Sequence, residues 1–343
     1  MPQSLISHQT RFQDWARQYG PVFSLKVGNG NIIVLSDRKS VNTLLDKKGS
    51  IYSDRPPNYF SDFVTHGDHL VSESQSPAWR EKRSIVTRNL GPKLLDEKHF
   101  RVQEAEYVQV RIGLSTDHHR AVIFMNNLLK DPNNIVNLAR LYTASVATTL
   151  VWGQRATDLD SFWNKDLYHF LDRVRRTLTF VCRSLTVQWL TQLEPGANPP
   201  LDEFPILKYL PGAWRQRFKD TRAAMDAMWT TARTIVDERR ARGDHRDCII
   251  DHKIDEYDRT GWPLSQHAFN NTLGEMVEAG ADTTANQLAT LILAFAKYPE
   301  VQKKAQAEID PLCGTKRAPS FSDFDRLPYI NAIIKEGLRW RPT

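Results

Sequence analysis

The residues best suited to chemistry stand together in Ala279-Gly280-Ala281-Asp282-Thr283-Thr284, inside a helical pattern of about thirty residues. A glycine in mid-helix costs about 1 kcal/mol relative to alanine, and β-branched threonines add a smaller cost. An acid and hydroxyls beside residues without bulk therefore indicate a helix that is weakened opposite something flat and reactive. The alternative is a packed helix with a surface acid.

Two shorter patterns pair functional side chains on one side of a helix. Glu336 and Arg339 stand three residues apart, and Trp79 and Arg83 stand four apart. Both spacings make helical neighbours, and a guanidinium fork suits a carboxylate or another bidentate anion. Each pattern also occurs by chance, as a solvated ion pair or as an amphipathic surface helix.

Composition excludes several classes of protein. The 343 residues are 41% hydrophobic and 25% charged, which is typical of a globular protein. The net charge of +6 is spread along the chain without a basic block, so we expect no nucleic acid partner. Cys182, Cys248 and Cys313 are few, odd in number and far apart, which argues against a disulfide framework or a structural zinc site. There is no apolar run of about twenty residues and no signal-peptide pattern, so we expect a soluble or peripherally membrane-bound chain.

The elements that must position these residues are predicted to be mainly α-helical, with a small β region near the N-terminus. A β-hairpin is predicted over 22–35, a helix capped by Ser36 or Asp37 follows, and 49–76 is predicted to be a long ordered loop. Helices are predicted at about 77–90, 96–109, 134–152, 160–192, 212–242, 263–297, 299–309 and 326–340. We predict one domain over 1–343, interrupted by a possible insert at 110–123, which is either a surface loop or sequence from a mis-spliced intron.

In order and spacing, these motifs resemble the cytochrome P450 family of haem-thiolate monooxygenases over nearly the whole chain. The hexamer at 279–284 matches the oxygen-binding helix pattern [AG]-G-x-[DE]-T-[TS], Glu336 and Arg339 match E-x-x-R, and Trp79 and Arg83 match W-x-x-x-R. The resemblance implies the P450 fold, a haem b cofactor and O₂ as a substrate.

The resemblance also assigns roles to these residues. Ala279 and Gly280 leave room over the haem for dioxygen, Asp282 relays protons, and Thr283 hydrogen-bonds the bound oxygen or a water. The aromatic ring and guanidinium of the W-x-x-x-R pair, Trp79 and Arg83, reach a haem propionate. The E-x-x-R pair, Glu336 and Arg339, is structural. Aromatic and aliphatic residues of the predicted loop would either line the substrate pocket or pack as ordinary core residues, namely Tyr59, Phe60, Phe63 and Val64.

One family motif is missing from the sequence. The iron-binding cysteine stands in F-x-x-G-x-R-x-C-x-G, well after E-x-x-R, and no such stretch occurs here. None of the three cysteines is assigned as the ligand, so no metal-ligating residue is predicted. The N-terminal membrane anchor of the family is missing too. We therefore expect a chain truncated before the haem-binding loop.

The expected function is that of a fungal microsomal-type monooxygenase, which hydroxylates a small apolar molecule in secondary metabolism. NADPH would supply electrons through a cytochrome reductase, which would dock on the basic residues around the W-x-x-x-R helix, namely Arg80, Lys82, Arg83, Arg88 and Lys93. The expected location is the cytosolic face of the endoplasmic reticulum, or the cytoplasm or a peripheral membrane site for an unanchored chain. The alternatives are a catalytically inactive remnant and a haem-free protein that binds a ligand or a partner.

Overall fold

A computed structural model of the chain describes the following residues: 8–27, 30–107, 124–182, 199, 201–202, 204–314, 317 and 319–342. The possible insert at 110–123 lies outside them. By its internal contacts the chain divides into two compact units, 1–80 with 170–227 (unit 1) and 81–169 with 228–343 (unit 2). The single-domain expectation stays a prediction.

The described elements are mainly helical, as the sequence predicts. In chain order they are α1 (His8–Tyr19), β1 (Val22–Val27), β2 (Gly30–Leu35), α2 (Arg38–Val41), α3 (Gly49–Tyr52), α4 (Tyr59–Thr65), α5 (Pro77–Asn89), α6 (Pro92–Leu94), α7 (Phe100–Tyr107), α8 (Phe124–Lys130), α9 (Ile135–Trp152), α10 (Leu167–Cys182), α11 (Ala213–Ala241), α12 (Ile249–Thr260), α13 (Gln266–Lys297), α14 (Pro299–Cys313) and α15 (Pro328–Trp340). No helix among the described residues is both long enough and apolar enough to cross a bilayer.

Local chemistry explains where several elements begin and end. The strands β1 and β2 pair antiparallel, with Val22 opposite Leu35. Asp37 caps α2, because its Oδ1 accepts the Ser40 N–H at 2.9 Å. Proline stands at the start of α14 and α15, where the missing N–H costs nothing.

The prediction of a loop over 49–76 is wrong in part, because this segment contains α3 and α4. Asn58 Oδ1 accepts the Ser61 N–H at 3.0 Å and so caps the start of α4. His66 ends the helix in the left-handed conformation, with φ of 57°. An asparagine cap and a histidine stop are weak signals in a stretch that is rich in proline and serine.

Unit 1 is held by an aromatic cluster between α4 and α11. The ring centroids of Phe60 and Phe218 lie 4.9 Å apart, and those of Trp214 and Phe218 lie 5.2 Å apart. Phe60 and Val64 are buried. These two residues are therefore core residues of unit 1, whereas Tyr59 and Phe63 keep partial exposure.

Unit 2 is built around the packing of α9 against α13. The indole of Trp229 on α11 stacks on Trp152 of α9, with centroids 5.9 Å apart and planes 7° apart. Gly274 of α13 makes room for this stack, since a Cβ there would lie 2.3 Å from Cε2 of Trp229. Trp152 and Trp229 are almost fully buried, so this stack is a fixed feature of the core.

A buried ion pair joins α11 to α12 in unit 2. Arg239 donates to both carboxylate oxygens of Asp251, at 2.8 and 3.0 Å, and each residue is only 2% exposed. The backbone N–H of Arg246 donates to the same carboxylate at 2.5 Å. These contacts fix α12, which lies between two of the predicted helices and was not itself predicted.

Candidate functional site

The hexamer at 279–284 lies within one uninterrupted helix, α13. Ser265 caps this helix, with its Oγ accepting the Ala268 N–H at 3.0 Å. Ala279 and Gly280 are exposed. A Cβ added at Gly280 would meet only Ala147 Cβ, at an ordinary 3.5 Å. Packing of the described residues therefore does not require glycine here, in contrast to Gly274.

Asp282 and Thr283 stand next to this open surface. Thr283 is exposed, and its Oγ1 donates to the backbone oxygen of Ala279 at 2.6 Å. A hydroxyl that donates in this way still has lone pairs with which to accept a hydrogen bond. Asp282 is half-buried and accepts from Asn286 Nδ2 at 3.4 Å. The helix thus brings together a small open surface, a hydroxyl and an acid.

The pair that matches W-x-x-x-R lies on α5. The Trp79 indole N–H donates to the backbone oxygen of Leu70 at 3.1 Å, so it would have to leave this partner to reach a propionate. Arg83 is exposed and open to an anion. Lys82, which we expected to add to a basic surface, is instead 1% exposed. The propionate role of Trp79 and Arg83 stays a prediction.

The pair that matches E-x-x-R forms a two-point ion pair on α15. Arg339 donates to Glu336 at 2.6 and 2.7 Å, and this hydrogen bonding lowers the pKa of Glu336. The side chains are 58% and 73% exposed for Glu336 and Arg339, so the pair is solvated. The buried neighbour is Gly337, where a Cβ would lie 2.6 Å from Leu291 of α13. A Cβ at position 337 would therefore require the flexible ends of the Leu291 and Gln287 side chains to move.

Both cysteines whose side chains are described, Cys248 and Cys313, are buried. Cys248 is buried beside Arg239, with Sγ 3.6 Å from Nη2, and burial raises the pKa of its thiol to about 11. It is therefore a neutral thiol at physiological pH. Cys313 is buried at the end of α14.

A partly buried acid that the sequence did not single out is Glu278, one turn before Asp282. Its Oε1 is enclosed and has no hydrogen-bond partner among the described residues. Burial raises the pKa of Glu278 to about 7, and a contact from the Trp229 indole opposes this rise. The available signal was an acid four residues before Asp282, on the same side of the helix.

A family model described as cytochrome P450 matches residues 5–343. The chain belongs to the cytochrome P450 family. This P450 chain is 35% identical over 333 residues to the cytochrome P450 monooxygenase atE of Aspergillus terreus, covering 96% of the chain and 56% of that relative. It is 35% identical to patI of Penicillium expansum and 34% identical to acuD of Aspergillus aculeatus, each over 337 residues, 97% of the chain and 58% of the relative. The chain thus spans somewhat more than half the length of these curated relatives.

Solved structures support the fold. Two structures of a zebra fish cytochrome P450, one with abiraterone and one with progesterone, match with TM-scores of 0.69 and 0.71. The matches cover 97% and 98% of this chain, and 69% and 71% of the solved chains, at 20% identity. The mainly helical P450 fold with a small β region is confirmed.

Haem iron is the cofactor of this family, and the described residues fit part of its requirements. The open surface at Ala279 and Gly280, with Thr283 beside it, suits the face of a planar macrocycle on which oxygen binds. The buried, neutral thiol of Cys248 does not suit the iron. The sequence has no F-x-x-G-x-R-x-C-x-G stretch, so these residues fit the oxygen side of a haem and do not supply its thiolate.

Proposed function

We propose that this chain is part of a haem b-dependent monooxygenase that hydroxylates a small apolar molecule in secondary metabolism. The reaction consumes O₂ and electrons from NADPH, which a cytochrome reductase delivers. We place the complete protein at the cytosolic face of the endoplasmic reticulum. Family membership supports the reaction class, and the surface around Ala279 and Gly280 supports the site.

The observation that carries the proposal is that Gly280 is not demanded by packing. Its neighbour Ala147 leaves ordinary contact distance for a methyl group, yet the position costs the helix about 1 kcal/mol. Such a cost at an exposed position is expected where another group must approach closely. Asp282 and Thr283, the acid and hydroxyl that proton delivery requires, stand within three residues of it.

Each residue has a defined task in this proposal. Bound haem supplies the oxygen chemistry. Ala279 and Gly280 keep its oxygen side free of bulk, Thr283 positions a proton at its hydroxyl, and Asp282 replaces that proton. The exposed guanidinium of Arg83 pairs with a propionate. Exposed basic residues on and after α5, among them Arg88 and Lys93, favour an acidic redox partner.

Haem loading tests the proposal. The complete polypeptide, extended through the thiolate loop, should bind haem and give the carbon monoxide difference spectrum of a thiolate-ligated iron after reduction. The 343-residue chain alone should not give that spectrum. A complete polypeptide that binds no haem would overturn the monooxygenase function.

A second candidate is a haem-free protein that binds an apolar ligand or a partner. Two observations favour it, namely the hydrogen bond that engages the Trp79 indole and the neutral thiol of Cys248. In that case the 343-residue chain should bind apolar ligands with an affinity that haem does not change. Loss of ligand binding without haem would exclude this candidate.

A further inference from the structure

One side of α13 carries a row of polar residues, two of them buried and three of them partly exposed. His267, Asn271, Glu275, Glu278 and Asp282 follow one another at spacings of three or four residues. At 3.6 residues per turn they fall within about 80° of the helix circumference. Asn271 and Glu275 are only 1% and 7% exposed, whereas His267 is half-exposed. The row runs from a solvent-accessible histidine to the acid beside the open surface.

Glu278 is the acid of this row that lies one turn before Asp282. Its Oε1 is enclosed without a hydrogen-bond partner among the described residues, which is rare for a buried polar atom in a folded protein. A carboxyl in such a place favours its protonated form, because burial penalises the charge. Burial raises the pKa of Glu278 to about 7, so near neutral pH the group exchanges readily between its two forms.

Asp282, one turn after Glu278 on the same side of α13, is the acid that lies between Glu278 and the open surface. On α13 the titratable neighbours are Glu275, one turn before, and Asp282, one turn after. From α11 the facing group is the Trp229 indole, and the α9 contact near this level of α13, at Gly280, is the methyl group of Ala147. Neither of these groups is charged.

We propose that Glu278 is the proton donor that reprotonates Asp282, and that the polar row beginning at His267 resupplies it from solvent. In this step the O–H bond of Glu278 breaks as an O–H bond forms on the Asp282 carboxylate, and Glu278 is left as the anion. A solvent proton then enters along the row and restores the Glu278 carboxyl. No electrons move. The inference rests on the proposed function for the use of the proton, but the exchange between the two carboxyls does not require haem.

The first test is a pH titration of the 343-residue chain, with glutamate side chains labelled with ¹³C at the carboxyl carbon and followed by NMR. Glu278→Gln identifies the resonance. We expect its midpoint near 7, and we expect Asp282→Asn to lower it by about 0.5 pH units, the effect of one like charge about 6 Å away in water. Asp258→Asn, which removes an exposed carboxylate on α12, is the matched control and should leave the midpoint unchanged.

The result that overturns the proposal is a Glu278 midpoint near the ordinary value of a glutamate, or one that Asp282→Asn does not move. If Asp282→Asn does not fold, the reciprocal titration of labelled aspartates, with and without Glu278→Gln, makes the same decision. If Asp282→Asn lowers the Glu278 midpoint but the complete protein binds no haem, the coupling between the two carboxyls stands. Only the monooxygenase function is then rejected.

Discussion

Gly274→Ala should destabilise the protein, even though alanine is the better helix former. A Cβ at position 274 would lie 2.3 Å from Cε2 and 2.6 Å from Nε1 of Trp229. The indole has little freedom to retreat, because it is 1% exposed and stacks on Trp152 with planes 7° apart. The substitution therefore forces two buried aromatic rings to move.

The expected size follows from these distances. Carbon atoms in contact lie about 3.5–4.0 Å apart, so the ring must shift by roughly 1 Å or more. Overpacking of this kind costs about 1–3 kcal/mol, and a rigid, stacked ring places Gly274→Ala at the upper end. Removing a glycine from a helix interior returns about 1 kcal/mol. We expect the free energy of unfolding to fall by about 2 kcal/mol.

Urea unfolding of the chain, followed by tryptophan fluorescence, measures this difference. Gly280→Ala on the same helix is the matched control, because its Cβ meets only Ala147 at 3.5 Å. It should raise the free energy of unfolding by about 1 kcal/mol, through helix propensity alone. If both substitutions stabilise the chain to the same degree, Trp229 does not pack on Gly274 and the reasoning is refuted.

Three further experiments test the ion pair, the buried acid and the hydroxyl. Asp251→Asn leaves the buried charge of Arg239 unmatched and should lower the free energy of unfolding in urea by about 3–5 kcal/mol. Glu336→Gln, which breaks a solvated pair, should leave the free energy of unfolding unchanged in the same measurement. Equal effects of the two substitutions would contradict the argument from burial. Because the pKa of Glu278 rises from 4.5 to about 7, the folded state keeps a proton that the unfolded state releases, so the free energy of unfolding should fall by about 3 kcal/mol as pH rises through this window. Glu278→Gln should abolish that fall, and a variant with the same pH dependence as the parent would exclude Glu278 as its cause. In the complete haem-containing protein, Thr283→Ala should release peroxide in place of product for the same NADPH consumed, and Thr283→Ser should restore product; unchanged coupling would remove Thr283 from proton delivery.

Long periodic segments were predictable from the sequence because their apolar residues repeat at the helical period over many turns. Helices α9, α11 and α13 lie within a few residues of the predicted ranges. The short helix α4 was not predictable, because its signals are a single asparagine cap and a left-handed histidine. Helix α12 is strongly charged, and its place depends on the pair between Arg239 and Asp251, which the sequence holds twelve residues apart.

The sequence by itself determined the family and the residues that could do chemistry, because both depend on residue types at short spacings within motifs that follow one another along the chain. It placed Ala279, Gly280, Asp282 and Thr283 together without knowledge of any neighbour. Only the tertiary structure distinguished the two glycines of α13, since the need for Gly274 comes from Trp229, which lies on α11. Burial likewise raises the pKa of Glu278, because surrounding elements that exclude water penalise the charged carboxylate. Such exclusion is a property of packed elements and cannot be read from one segment alone.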